Sequence, residues 1–181
     1  MLVSEKIYTL DEFDEYVAQH PDAILELIDG RIVEKVTTEE HGRIVINIGG
    51  ELRAWQKETG IKGHYSTEPT LRLPDDDKNS RRPDVSFRLT DDSVSTASAL
   101  YTMPDFAVEV KSRSNSYEEL REKARFFLAN GSRLVWLIYP SRRIVEVHYA
   151  DGSSELFTEE HKLSGGDVLP GFEMTVTEIF G

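Results

Sequence analysis

The sequence predicts a mixed α/β (α+β) fold, with a central mixed β-sheet flanked by helices and preceded by an N-terminal helix and a β-hairpin. A strand pattern at residues 106–111, a helical pattern at 117–130 and an unbroken apolar run at 134–139 together predict a βαβ unit. Asp-Gly pairs at 29–30 and 151–152 separate apolar-rich runs, which is typical of β-hairpins. These observations favour one sheet with helices packed against it.

The N-terminal region predicts a short helix followed by a hairpin. Thr9 and Glu12 have the spacing of a capping box, and an apolar stripe follows them to about residue 20. Residues 24–28 and 31–36 are the predicted strands of the hairpin.

A longer second helix is predicted from Thr37 to Gly60. Its core-facing stripe is predicted to consist of His41, Val45, Ile48, Leu52 and Trp55. Each glycine inside a helix lowers its stability by about 1 kcal/mol relative to alanine. Gly49 and Gly50 therefore predict close packing against another element.

Most of the remaining elements are predicted strands. They cover residues 63–66, 70–73, 85–89, 144–149 and 155–157, with a short β-rich tail at 172–180. Residues 74–80 and 90–104 are predicted loops, and the aspartates at 75–77 are interpreted as solvated because their spacing matches no calcium loop. With 181 residues, 39% of them hydrophobic, the chain is predicted to be a single domain over residues 1–181.

Composition narrows the class of protein. The chain has no cysteine, which excludes disulfides, thiolate metal sites and a cysteine nucleophile. It lacks an apolar run of about 18 residues and a signal-peptide pattern, so a cytoplasmic location without membrane association is expected. The net charge of -12 argues against a general polyanion-binding protein.

One segment departs from this acidity. Residues 110–145 contain eight basic and three acidic residues, a local charge of +5. The segment has two interpretations: a solvated helix with pairs such as Glu119 with Lys123, or a surface that faces a substrate.

A Pro-Asp pair followed by Glu-x-Lys carries the functional hypothesis. Pro83-Asp84 precedes one predicted strand, and Glu109-Val110-Lys111 lies on the next. Because side chains alternate along a strand, Glu109 and Lys111 are predicted to point the same way. Two carboxylates and a main-chain carbonyl suit Mg²⁺, which promotes phosphodiester hydrolysis, and an ammonium beside them can orient water. Taken singly, Asp84 also fits a turn residue, and Glu109 and Lys111 fit polar positions on a half-exposed strand. Their order along the chain favours a metal-dependent catalytic site.

These motifs resemble the Uma2-like family of restriction endonucleases, within the PD-(D/E)xK nuclease superfamily. The resemblance is carried by residues 25–32, His41, residues 82–85 and 109–112, Lys123 and residues 137–139. It implies a restriction-endonuclease-like fold with Asp84 and Glu109 as metal ligands, joined by Val110 through its carbonyl. Glu26 is implied as an additional acidic site residue.

The catalytic lysine has two candidates. Lys111 is favoured because it shares a strand with Glu109, whereas the resemblance also points to Lys123, since family members often carry a lysine on the following helix. Glu26 is interpreted either as a site group or as a salt-bridge partner. His41, on a core-facing stripe, is interpreted as a structural histidine.

The resulting function hypothesis is a Mg²⁺-dependent endonuclease that hydrolyses DNA, with Mn²⁺ as a possible substitute ion. The alternative is a catalytically inactive nuclease-fold protein that binds nucleic acid or a protein partner. RNA and branched DNA stay open as substrates because phosphate chemistry does not distinguish them. A homodimer is expected, since two symmetry-related sites are the simplest way to cut two strands.

Overall fold

The computed structural model describes residues 2–3, 6–113 and 115–181. The α-helices of these ranges are α1 (Leu10–Gln19), α2 (Glu39–Thr59), α3 (Tyr117–Ala129) and α4 (Val176–Phe180). The strands are β1 (Ile24–Ile28), β2 (Arg31–Lys35), β3 (His64–Ser66), β4 (Leu71–Arg72), β5 (Ser80–Arg81), β6 (Val85–Arg88), β7 (Phe106–Val110), β8 (Leu134–Tyr139), β9 (Ile144–Tyr149), β10 (Ser154–Phe157), β11 (Lys162–Ser164) and β12 (Glu173–Thr175). No helix in the described ranges is both long and apolar enough to cross a bilayer.

The central sheet has the strand order β10-β9-β8-β7-β6-β3. Strands β7 and β8 run parallel, whereas the other neighbours in this sheet are antiparallel. Helix α3 connects β7 to β8, so the predicted βαβ unit is present. All six residues of β8 are buried, as in a strand covered on both faces. The prediction of a mixed α/β fold around a central mixed sheet is confirmed.

The N-terminal hairpin belongs to a different sheet, so the prediction of one sheet is wrong. Strands β1 and β2 pair around Asp29 and Gly30, whose φ angles of 49° and 77° suit a tight hairpin turn. The other edge of β1 pairs with β5 through Leu27 and Ser80. Strand β5 borders the predicted 74–80 loop, and it completes a second sheet in the order β2-β1-β5-β4.

Side-chain alternation along β7 determines which residues reach the candidate site. Phe106, Val108 and Val110 belong to the hydrophobic cluster that contains the apolar face of α2. Ala107 belongs to the cluster that contains the apolar face of α3. Glu109 lies on the same strand face as Ala107 and therefore points toward α3.

Helix α2 buries a slightly different stripe from the predicted one. Its buried residues are His41, Ile44, Ile48, Leu52 and Trp55. Ile44 is fully buried, whereas Val45 is only partly buried at the edge of the cluster. At about 100° per residue, Ile44 and Val45 lie about equally far on either side of the stripe formed by the other four residues, so the helical pattern alone does not decide which of them is buried.

Gly49 and Gly50 do not make the predicted close contact. A Cβ atom built on either residue meets no neighbouring atom within 4 Å. We therefore expect Gly49→Ala and Gly50→Ala each to raise the free energy of unfolding by about 1 kcal/mol, because both glycines lower helix propensity. Urea denaturation followed by circular dichroism measures this change.

Gly30→Ala is the matched control, and it is expected to destabilise the protein. Gly30 has a φ of 77°, and an added Cβ would lie 2.6 Å from Cγ2 of Ile7. Destabilisation by the two helix substitutions would show that α2 packs more tightly at these positions than its surroundings indicate.

The C-terminal segment forms a helix where a β-rich tail was predicted. Only residues 173–175 form a strand, β12, which pairs with β11. Thr175 then caps α4, because its hydroxyl accepts the N–H of Glu178 while the Glu178 carboxylate accepts the N–H of Thr175. Thr175 and Glu178 have the same sequence spacing as Thr9 and Glu12, so this helix start was recognisable.

Candidate functional site

Asp84 and Glu109 lie side by side on adjacent strands. Strands β6 and β7 are antiparallel with Val85 opposite Val108, so Asp84 lies beside Glu109. The N–H of Asp84 donates to the carbonyl of Val108 at 3.0 Å. Its Oδ2 accepts a 2.6 Å hydrogen bond from the N–H of Val110. Asp84 therefore forms hydrogen bonds with Val108 and Val110, the residues on both sides of Glu109.

The Asp84 carboxylate is buried and surrounded by donors. Lys35 Nζ lies 2.5 Å from Oδ1 and also donates to the carbonyl of Arg82 at 2.7 Å. His41 Nε2 lies 3.1 Å from Oδ2. Burial alone would raise the pKa of Asp84, but the Lys35 ammonium and the His41 hydrogen bond hold it well below its ordinary value. Asp84 is thus an anion at neutral pH.

Lys123 joins two further carboxylates beneath helix α3. Its Nζ donates to Glu26 Oε2 at 2.6 Å and to Glu109 Oε2 at 3.1 Å, and all three side chains are at most 7% exposed. Glu26 Oε1 also accepts the N–H of Arg82 at 2.9 Å. Burial opposes the charge on Lys123, yet Glu109 and Glu26 raise its pKa. Lys123 is therefore a charged and firmly positioned donor.

Glu109 has one carboxylate oxygen that is poorly satisfied. Its Oε1 is buried and has no hydrogen-bond partner among the described residues. Burial raises the pKa of Glu109 to about 7, against the opposing effect of Lys123 and Lys35. A buried polar atom without a partner costs about 1–3 kcal/mol. Oε1 is consequently a favourable position for a proton or a cation.

A small cavity reaches these charged groups. Its volume is about 10 Å³, which is room for about one water molecule. The polar residues that line it include Glu26, Lys35, His41, Glu109, Ser112, Asn115 and Lys123. Lys123 and Asn115 also line a larger cleft of about 510 Å³ between the hairpin and α3. Lys123 thus lines both the small cavity beside the carboxylates and the larger cleft.

The donor set fits a hard divalent cation that keeps part of its water shell. Glu109 Oε1 is an available oxygen beside the Asp84 carboxylate, and the carbonyl of Val110 is the third predicted ligand. In the described ranges, no three His, Asp or Glu side chains form a metal-binding group by themselves. A metal here would need main-chain and water ligands, which Mg²⁺ commonly uses. It would also compete with Lys35 for Oδ1 of Asp84.

The structure does not bring Lys111 to the carboxylates. Strand β7 ends at Val110, so the alternation used to predict the direction of Lys111 stops one residue earlier. Lys111 Nζ instead donates to the carbonyl of Ser112 at 3.1 Å and lies 5.1 Å from the centre of the Tyr117 ring. Of the two candidate lysines, Lys123 is the one that contacts Glu109.

The sequence analysis missed Lys35 and gave His41 only a structural role. Lys35 is the last residue of β2, and the hairpin register brings it to Asp84 across 49 residues of sequence. No short motif encodes that approach. His41 does lie on the buried stripe of α2, as predicted, and its partner there is Asp84. The sequence feature that could have predicted this contact is a buried histidine near the start of a helix that packs against the strands carrying Asp84 and Glu109.

Comparison with known proteins agrees with the family resemblance expected from the sequence motifs. The family model of Uma2, described as "Putative restriction endonuclease", matches residues 10–177. The fold is similar to the crystal structure of a "putative nuclease belonging to DUF820" from Anabaena variabilis ATCC 29413, with a TM-score of 0.80 and 21% identity over 95% of this chain and 97% of that one. No curated protein matches the sequence significantly. Since the family model spans most of the chain, the protein belongs to the Uma2 family of restriction-endonuclease-like proteins.

Proposed function

We propose that the protein is an endonuclease that hydrolyses phosphodiester bonds in DNA with Mg²⁺, or Mn²⁺ in its place. The buried, unpartnered Oε1 of Glu109 beside the Asp84 carboxylate is the observation that carries this proposal. A fold selected only for stability would not favour an unsatisfied carboxylate next to a second one. A bound divalent cation would give Oε1 of Glu109 a partner.

Asp84, Glu109 and the carbonyl of Val110 are the proposed ligands of the cation. When bound, such an ion supplies a more acidic water and neutralises charge on the phosphate. Asp84 suits this role because the Lys35 ammonium and the His41 hydrogen bond keep its pKa low despite its burial, and the N–H of Val110 positions its Oδ2. Glu109 must lose its proton first, since its pKa is raised to about 7.

Lys123 is the proposed catalytic ammonium. It lines the cavity that has room for about one water, so it can donate a hydrogen bond to that water or to a phosphate oxygen. Glu26 acts on Lys123 as a positioning residue, because its 2.6 Å contact fixes the ammonium between two carboxylates. Lys35 is proposed as the counter-ion that stabilises Asp84 before the cation binds.

A second candidate function is a nuclease-fold protein that binds nucleic acid or a protein partner without cleavage. The Lys35 contact favours it, because a 2.5 Å ion pair on Asp84 opposes the binding of a cation there. The same contact in an active enzyme would be exchanged for the metal.

Plasmid cleavage tests the proposed function. Supercoiled DNA incubated with the purified protein is expected to be nicked or linearised with Mg²⁺ or Mn²⁺, and EDTA is expected to stop the reaction until excess Mg²⁺ is added. RNA and branched DNA are compared under the same conditions. Hydrolysis that is insensitive to EDTA would contradict the mechanism, and metal-independent DNA binding without any cleavage would favour the second candidate.

We also propose that the protein acts as a homodimer, since two related sites can cut both strands of a duplex. Light scattering coupled to size exclusion at micromolar concentration is expected to give twice the chain mass. A protein that is monomeric at this concentration and still cleaves both strands fully would contradict the proposed homodimer.

A further inference from the structure

The basic segment at residues 110–145 divides into paired and unpaired cations. Five of its eight basic residues form ion pairs with carboxylates: Arg121, Lys123, Arg125, Arg133 and Arg143. The predicted Glu119–Lys123 pair is absent, because Lys123 turns inward and Glu119 caps α3 through the N–H of Ser116. Within the described ranges, Lys111, Arg113 and Arg142 pair with no carboxylate. A solvated helix with internal ion pairs therefore explains only part of the segment.

Two of the unpaired cations meet at one aromatic ring. Lys111 Nζ lies 5.1 Å and the Arg142 guanidinium 4.7 Å from the centre of the Tyr117 ring. Tyr139 packs against the same ring at a centroid distance of 5.1 Å. Cation–π attraction offsets the repulsion that two neighbouring cations otherwise experience. Lys111, Tyr117 and Arg142 are called the Tyr117 patch below.

The Tyr117 patch borders the candidate site. Lys111 follows Glu109 by two residues, and Tyr117 follows the cavity-lining Asn115 by two residues. Arg142 follows β8, the parallel neighbour of β7, so it lies at the same end of the sheet. Two residues span at most about 7 Å. The patch is therefore within a few nucleotides of any phosphate bound at Glu109.

We propose that the Tyr117 patch binds the sugar–phosphate backbone of the nucleic-acid strand beside the scissile phosphate, with Lys111 and Arg142 as the phosphate contacts. The choice of partner rests on the proposed function. Arg142 is exposed, and a guanidinium can hold a phosphate through two parallel hydrogen bonds. Tyr117 is a positioning residue that keeps the two cations on one side of the site.

The overall charge of the chain supports a localised contact. A net charge of -12 repels a polyanion from most of the surface, so binding depends on the few places where cations lack carboxylate partners. Lys111 and Arg142 form such a place next to the cavity. The patch also gives Lys111 a role outside the carboxylate cluster.

Fluorescence anisotropy with a labelled 20-mer duplex tests the patch. Measurements in EDTA prevent cleavage and make binding independent of the metal. Lys111→Ala/Arg142→Ala is expected to weaken binding about tenfold or more and to make the slope of log K against log salt shallower by about 2, one for each lost phosphate contact. Tyr117→Leu is expected to weaken binding in part, whereas Tyr117→Phe retains it.

Arg53→Ala/Lys57→Ala is the charge-matched control. Both residues are exposed on α2, have no ion-pair partner in the described ranges, and lie 12 and 16 residues beyond His41, roughly 18–24 Å along the helix. This variant is expected to bind within about twofold of the parent protein. Equal weakening by the two double variants would reduce the effect to net charge and overturn the proposal.

The outcome is separable from that of the proposed function. Patch-dependent binding in EDTA by a protein that cleaves nothing would support the patch and remove the endonuclease. Metal-dependent cleavage with an unchanged affinity of the patch variant would do the reverse. Absence of duplex binding by the parent protein would also overturn the patch.

Discussion

Replacing Lys123 by methionine is expected to reduce single-turnover cleavage at saturating DNA by about 10²–10³-fold, whereas Lys111→Met keeps the rate within about threefold. The reason is position: Lys123 Nζ lies 3.1 Å from Glu109 and lines the cavity, while Lys111 Nζ contacts Ser112 and Tyr117. Loss of one preorganised donor typically costs this much in rate. Lys111→Met should instead raise the DNA concentration needed for saturation.

Lys123→Met also needs a control for folding, because it leaves Glu26 and Glu109 buried without their shared counter-ion. Breaking a buried ion pair on one side costs about 3–5 kcal/mol. The double variant Glu26→Gln/Lys123→Met restores part of the charge balance and is expected to recover thermal stability without recovering cleavage. Recovery of both would assign Lys123 a structural role only, and a larger rate loss in Lys111→Met would return the catalytic role to Lys111.

The elements that depend on neighbouring residues were predictable from the sequence. Asp29-Gly30 specified the hairpin turn, and the strand, helix and apolar run specified the βαβ unit. The proximity of Asp84 and Glu109 also followed, since the residue before one strand pairs naturally with the end of the next. Family resemblance added Glu26 and Lys123, which periodicity alone had left ambiguous.

The remaining features depend on contacts between distant segments. Lys35 reaches Asp84 only because β1 pairs with β5 and the hairpin lies against the site, and neither pairing is encoded in a local motif. Strand length decides the direction of Lys111, and the end of β7 at Val110 cannot be located within one residue from alternation. At Gly49 and Gly50, the low helix propensity of glycine predicts close packing, but no neighbouring atom in the described ranges lies near either residue.

Glu109→Gln is expected to abolish Mg²⁺-dependent cleavage, by about 10³-fold or more, while stabilising the metal-free protein at pH 8. The amide cannot replace an anionic metal ligand, but it resembles the protonated carboxyl group that burial favours. The folded-state pKa of Glu109 is raised to about 7 from an ordinary value of 4.5. The stability that the protonated form contributes is therefore full below pH 4.5 and is lost as pH rises to about 7. In EDTA, the gain in melting temperature of Glu109→Gln over the parent should be larger at pH 8 than at pH 5.

Added Mg²⁺ is expected to reverse the order of the melting temperatures of Glu109→Gln and the parent protein. Excess Mg²⁺ is expected to raise the melting temperature of the parent but not of Glu109→Gln. The apparent affinity of the parent for Mg²⁺ should fall about tenfold per pH unit below 7, because a proton competes for the same carboxylate.

Glu146→Gln is the matched control. Glu146 is also buried, but hydrogen bonds from Arg121 and Tyr139 outweigh its burial and lower its pKa, so Glu146→Gln is expected to destabilise the protein at pH 8. Differential scanning fluorimetry at both pH values, in EDTA and over a Mg²⁺ titration, measures the melting temperatures and the apparent affinities. A Glu109→Gln protein that is less stable than the parent in EDTA and equally stabilised by Mg²⁺ would mean that Glu109 has a structural partner and no metal, and the proposed site would then lack its second ligand.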